Sequence, residues 1–128
     1  MRSGILFFGL LLSCASNASN WKPLADGRGV TYYVDPDSRI RNGGVMMVLV
    51  LTDFETPKRY KKQPYRSMVE YWRVDCGSEK VALIDVHATT GDMGTGPTVF
   101  EESVNTPWMP IKTGNISEVL LRAACSNE

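Results

Sequence analysis

Residues 45–51 read Val-Met-Met-Val-Leu-Val-Leu, apolar throughout. Successive side chains of a strand point to opposite faces, so a strand can carry such a run only where both faces are covered. The segment therefore predicts the central strand of a sheet. A buried helix gives the same unbroken pattern, but the valines and the glycines at its border favour the strand. Asn42-Gly43-Gly44 comes just before it and is a strong hairpin signal, because Asn and Gly tolerate positive φ. That turn folds the short segment Arg39-Ile40-Arg41 back against the run.

The neighbouring segments supply further strands. Residues 29–35 (GVTYYVD) are β-branched and aromatic, and Pro36-Asp37 then turns the chain. Residues 67–76 alternate, with Met68, Trp72, Val74 and Cys76 on one face, Glu70 as the polar exception among them, and Tyr71, Arg73 and Asp75 opposite. In residues 80–90 the alternation predicts that Ala82, Ile84, Val86 and Ala88 share a face. A Gly-rich bend, GDMGTG at 91–96, leads into TVFEESV at 98–104. The expectation is a small sheet of four or five antiparallel strands.

The last segment has a different period. Ile116, Val119, Leu120, Ala123 and Ala124 form the stripe of an amphipathic helix, and Asn115 with Glu118 has the spacing of a capping box. The fold class is thus α+β, a mostly antiparallel sheet with a C-terminal helix packed on it. Cys125 projects away from the centre of that stripe. Either the helix ends before Cys125 or its buried face is centred nearer Leu121.

The first twenty residues stand apart from this pattern. One Arg, an apolar run from Ile5 to Leu12 and then small residues make a secretory signal, too short to span a bilayer as a mature helix. Leu11-Leu12-Ser13-Cys14 has the form of a bacterial lipobox, which predicts a signal of 1–13, lipidation of Cys14 and a membrane anchor. Cleavage after Ala18 is the alternative, giving a signal of 1–18 and a soluble periplasmic product. An exported chain meets an oxidising compartment, so the cysteines are read as a disulfide. Lipidation at Cys14 leaves Cys76 and Cys125 to pair.

The chain has 128 residues, with 14 Lys+Arg against 14 Asp+Glu. That is one domain's length, with its fold in residues 21–125. Zero net charge removes the usual argument for a nucleic-acid partner, which needs a basic surplus. One His and three Cys leave little material for a metal or haem site, and no cofactor is expected. Asp85 and His87 share a strand face, but no nucleophile or third ligand accompanies them, so a surface His in a sheet is the stronger reading. GDMGTG is followed by neither Lys-Ser/Thr nor a helix, so it is a bend and not a phosphate cradle. The chain offers no catalytic constellation.

Charge placement says more than charge total. Residues 57–66 (PKRYKKQPYR) hold Lys58, Arg59, Lys61, Lys62 and Arg66 with no acid, interleaved with Tyr60 and Tyr65. From Ser67 to Asn105 there are only Arg73 and Lys80 against seven acids. A basic, aromatic, Pro-bounded segment attracts acidic protein segments, sulfated glycans or lipid headgroups. The bland alternative is a solvated loop whose lysines keep a sheet edge soluble.

Together, TYYVDP at 31–36, DFETP at 53–57, PYRS at 64–67, EYWRVDC at 70–76, GDMGTG, Trp108-Met109-Pro110 and the terminal helix ending in Cys125 resemble the surface-adhesin protein E-like family of proteobacteria. The likeness runs from about Trp21 to Cys125. It departs at Leu49, where the family more often carries Trp. It implies a small exported β-rich envelope protein without catalysis, whose namesake is an adhesin for host matrix proteins, and Cys76 and Cys125 match the family's two cysteine positions. The combined expectation is a non-enzymatic envelope lipoprotein of the outer membrane or periplasm with an interaction role. The alternative is a soluble periplasmic binding or inhibitor module acting on another envelope protein.

Overall fold

The computed structural model describes residues 20–126. Eight strands, β1 (Lys22–Gly27), β2 (Val30–Val34), β3 (Ile40–Asn42), β4 (Val45–Tyr60), β5 (Gln63–Asp75), β6 (Lys80–Thr89), β7 (Thr98–Ser103) and β8 (Met109–Pro110), precede one helix, α1 (Ile116–Cys125). They form a single sheet in the order β1-β2-β4-β5-β6-β7, with β3 added to β4 and β8 to β6. Every pairing is antiparallel. The α+β class holds, but the sheet is larger than the small one expected. The unforeseen β1 reads Lys-Pro-Leu-Ala-Asp-Gly, with no strand-forming composition. It is a strand because β2 offers it a free edge, and Pro23 is tolerated there because an outer edge needs no donor on its far side.

β4 is the central strand, between β2 and β5. Its apolar run is covered unequally. Met46, Val48 and Val50 face α1 in the main core with Val34, Trp72, Val74, Val81, Leu120 and Ala124. On the opposite face Met47 and Leu49 are only half-buried, and closure comes at Leu51, which is 0% exposed. There the short 3₁₀ turn Asp92–Gly94 lies on the sheet, with the Gly94 position against Leu51 and Val69.

The predicted face of β6 is corrected by a bulge. Tyr71 pairs with Asp85 and Trp72 with Leu83, so Ile84 is an extra residue on β6. One inserted residue reverses the side-chain alternation. Val81 and Leu83, not Ala82 and Ile84, therefore join the core under α1.

The helix begins where the capping pattern places it. Asn115 Oδ1 accepts from Ser117 N at 2.7 Å, but Glu118 Oε1 reaches Gly114 N at 2.9 Å and not the cap residue's own amide. Its buried residues are Ser117, Leu120 and Ala124, so the inner face is turned from the predicted stripe towards Leu121. That rotation resolves the position of Cys125, the helix's last residue, which is bonded to Cys76 at a Cα–Cα distance of 5.8 Å.

Glu70 lies on the core side of β5, accepting from Trp72 Nε1 at 3.3 Å. Burial raises its pKa above the ordinary carboxylate value, and the Trp72 hydrogen bond opposes that rise. The folded protein thus binds this proton more tightly than the unfolded chain does. Stability falls as pH rises from the ordinary carboxylate pKa through the raised one, and the penalty is absent below about pH 4. Glu70→Gln, which keeps an acceptor for Trp72, is expected to raise the melting temperature at neutral pH and to leave it nearly unchanged near pH ~4. Paired thermal melts check this, and equal shifts at both pH values contradict it.

Candidate functional site: a basic hairpin arm

The β2–β4 ladder stops at Val30–Phe54 and the β5–β6 ladder begins at Ser67–Thr89. Beyond those limits β4 and β5 continue alone, pairing Lys58 with Tyr65, Arg59 with Pro64 and Tyr60 with Gln63. This two-stranded arm carries the basic segment. Between Asp53–Ser67 and Lys58–Tyr65 the register jumps, because residues 54–57 of β4 face the single residue Arg66. Such an insertion bends the strand and re-aims the residues beyond it. The bend is pinned by Glu55 N donating to Gly29 O at 2.8 Å and by Arg66 Nε donating to Phe54 O at 2.7 Å.

At the tip Lys61 and Lys62 form a two-residue turn with φ of 49° and 73°. Asn-Gly normally occupies such a turn, because side chains pay a steric penalty at positive φ. Two lysines there place strained backbone and adjacent charge at the most projecting point. Arg59 Nη1 donates to Lys62 O at 2.9 Å and braces it.

The sequence-predicted site residues divide into three groups. Lys58, Arg59, Lys61 and Lys62 are exposed on the arm. Tyr60 and Tyr65 are half-buried and form its seat. Tyr60 stacks on Phe100 at 4.4 Å, Tyr65 meets Phe100 and Phe54 edge-on at 5.5 and 5.8 Å, and the Tyr60 hydroxyl donates to Glu102 Oε2 at 3.2 Å. The Lys58 and Lys61 ammonium groups lie over the Phe54 and Tyr60 rings at 5.4 and 5.3 Å. Arg66 leaves the patch. It is half-buried and lines a cleft of about 360 Å³ with Asp26, Asp53 and Glu55. Spacing alone could not distinguish Arg66, which pins the bend, from the exposed cations. Phe54 and Phe100, which hold the arm in place, were missed because they lie outside the basic run.

Other candidates take structural positions. His87 Nε2 meets Thr98 Oγ1 at 2.7 Å, while Asp85 Oδ1 accepts from Ser103 Oγ at 2.9 Å, so the two share a face without touching a common group. Among the described residues no group of three or more His, Cys, Asp or Glu is placed to hold a metal ion. GDMGTG is a clasp: Met93 N donates to Asp53 Oδ1 at 3.0 Å and Gly94 N to Ser67 Oγ at 2.8 Å. Cys14 lies outside the described residues.

Comparison with known proteins gives one family. The profile described as surface-adhesin protein E matches residues 21–126. Among solved structures, protein E from non-typeable Haemophilus influenzae superposes with a TM-score of 0.59 at 14% identity, covering 81% of this chain and 82% of that one. Another structure of Haemophilus influenzae protein E gives 0.58 at 14% identity, over 85% of this chain and 93% of that one. At such identities the likeness establishes a shared fold. No curated protein sequence matches the chain significantly.

Proposed function

Because the chain belongs to the surface-adhesin protein E family, we propose that this non-enzymatic protein works in the bacterial envelope as an adhesin-type interaction module whose basic arm meets the partner. The observation that carries this is the arm itself: four exposed cations, unpaired with the rest of the sheet and ending in a strained Lys-Lys turn. A segment that only kept an edge soluble needs no strained tip and no aromatic seat. Aromatic rings under Lys58 and Lys61 hold cations at fixed positions, which lowers the ordering cost of binding a polyanionic surface. The partner class is an acidic protein segment or a sulfated glycan. Host matrix proteins enter through the resemblance to the family's namesake alone.

Replacing Lys58, Arg59, Lys61 and Lys62 with Ala is expected to abolish most binding to heparin-like polyanions and to envelope or matrix partners. The stability change should stay within about 0.5 kcal/mol, as is usual for exposed positions. A second variant, Lys61→Asn with Lys62→Gly, suits the turn and should raise stability by up to about 1 kcal/mol while halving the arm's exposed charge and weakening binding. Binding of the wild type should also fall with salt, over a Debye length of about 8 Å at physiological ionic strength. Unchanged, salt-insensitive binding by the quadruple variant defeats the proposal, leaves the arm a solvated connection and moves the search to the sheet face or the GDMGTG bend.

The lipobox supports a membrane location for this module. Acyl chains contribute about 0.8 kcal/mol per buried CH₂, and stable anchoring takes more than one chain. Cys14→Ser is expected to move the protein from the membrane fraction to the soluble one. Wild-type protein that is already soluble, with Ser19 as its first residue, identifies cleavage after Ala18 and a periplasmic product instead.

A further inference from the structure

The sheet ends at two edges that are guarded differently. β1 carries Pro23 and a register irregularity between Pro23 and Ala25, both of which discourage pairing. β7 has an irregularity at Val99, but Phe100–Ser103 continues in regular register opposite Ala88, His87, Val86 and Asp85. Just beyond it Val104 N donates to Ile84 O at 2.7 Å. Hydrogen-bonded and non-bonded pairs alternate along an antiparallel ladder, so Glu102 and Phe100 bond inward to β6 in the same series. The backbone N–H and C=O groups of Glu101 and Ser103 therefore point outward, where no strand of the described chain meets them.

The groove beside this edge, on the sheet face away from the arm's seat on Phe100, is acidic through Asp85 and Glu101. From Val81 to Ile111 the sequence contains no Lys or Arg. Glu101 and Ser103 sit across from His87 and Asp85 on the face opposite α1, and these residues line a groove of about 350 Å³. Glu102 points to the other face, where the Tyr60 hydroxyl holds it. Glu101 is exposed. A second copy of β7 would bring its own Glu101 and Glu102 against this pair, so the charges resist self-pairing while they favour a basic strand.

We infer that β7 accepts an extended segment of a partner polypeptide as a further antiparallel or parallel strand, with a Lys or Arg side chain of that segment seated between Asp85, Glu101 and Ser103. Main-chain bonds to Glu101 and Ser103 supply the pairing, and the acidic groove selects the side chain. This groove lies on the opposite face of β7 from Phe100 and Glu102, where the arm is seated, and it is opposite to the arm in sign.

The test titrates the purified chain with a short peptide of alternating lysine and valine. Controls are the same peptide N-methylated on alternate backbone nitrogens and a glutamate-valine peptide. Saturable binding is expected for the first alone, with the Glu101 and Ser103 amides becoming protected from hydrogen exchange. Glu101→Lys should weaken that binding roughly tenfold, and the quadruple arm variant should leave it unchanged. Equal binding of the N-methylated peptide would reduce the effect to bulk charge and overturn the inference. Protection confined to other residues, or protection of Glu101 and Ser103 that rises with protein concentration without peptide, would also overturn it, the latter by naming a second copy as the occupant.

Discussion

Replacing both Cys76 and Cys125 with Ala is expected to lower the unfolding free energy by about 4 kcal/mol, the chain-entropy value for a loop of this length. The bond spans 49 residues and joins the end of β5 to the last residue of α1. The cost falls on a domain whose total stability is of the order of 5–15 kcal/mol. It should be felt first in the helix. A segment of ten residues is marginal by itself, so α1 depends on what holds it to the sheet. Leu120 and Ala124 bury its inner face, Arg39 Nη1 donates to Ala123 O at 3.1 Å, and the disulfide closes its end. Without the bond, hydrogen exchange in residues 116–125 should accelerate before that of β4 and β5. Urea titration gives the global cost. A double variant with the native midpoint would show that packing alone secures the helix.

Ser67→Ala should cost about 2 kcal/mol, a large effect for the loss of one oxygen, because it strands buried polar groups. Ser67 is 0% exposed, and its Oγ donates to Gly91 O at 2.7 Å, accepts from Gly94 N at 2.8 Å and lies 3.1 Å from Thr89 Oγ1. One hydroxyl thus satisfies both ends of the clasp that covers Leu51 and Val69. Its removal leaves the Gly94 amide facing apolar side chains. Gly94→Ala attacks the same clasp from the other side: φ is +75°, and an added Cβ would approach Val69 Cγ2 at 3.4 Å. Both variants should expose the sheet face around Leu51, detectable as dye binding and lowered urea midpoints, while the basic arm and its partner binding persist. Native-like midpoints for both would mean that the clasp contributes no stability.

The 14% identity to a protein of the same fold fits this division of labour. A sheet of this kind asks for alternation, a few turns and a tether, and many sequences supply those. A charged arm or an acidic edge depends instead on particular residues.

What the sequence settled by itself was local. The apolar run of β4, the β-branched and aromatic content of β2, the Asn42-Gly43-Gly44 turn and the Asn115 cap each act within a few residues, so composition and spacing reveal them. The charge of residues 57–66 is equally plain, and the Cys76–Cys125 bond joins the two cysteines that match the family's positions. Tertiary structure decided the rest. β1 exists because β2 has an edge to offer, and no residue of Lys22–Gly27 announces it. The extra residue at Ile84 reverses the face of β6, a shift concealed by the apolar run Val81-Ala82-Leu83-Ile84, which fits either alternation. Arg66 is withdrawn from the basic patch by a carbonyl 12 residues away, and Tyr60 is seated by Glu102, 42 residues away. A side chain's role is set by which groups reach it in space, and partners brought together only by strand pairing leave no mark in the spacing of either segment.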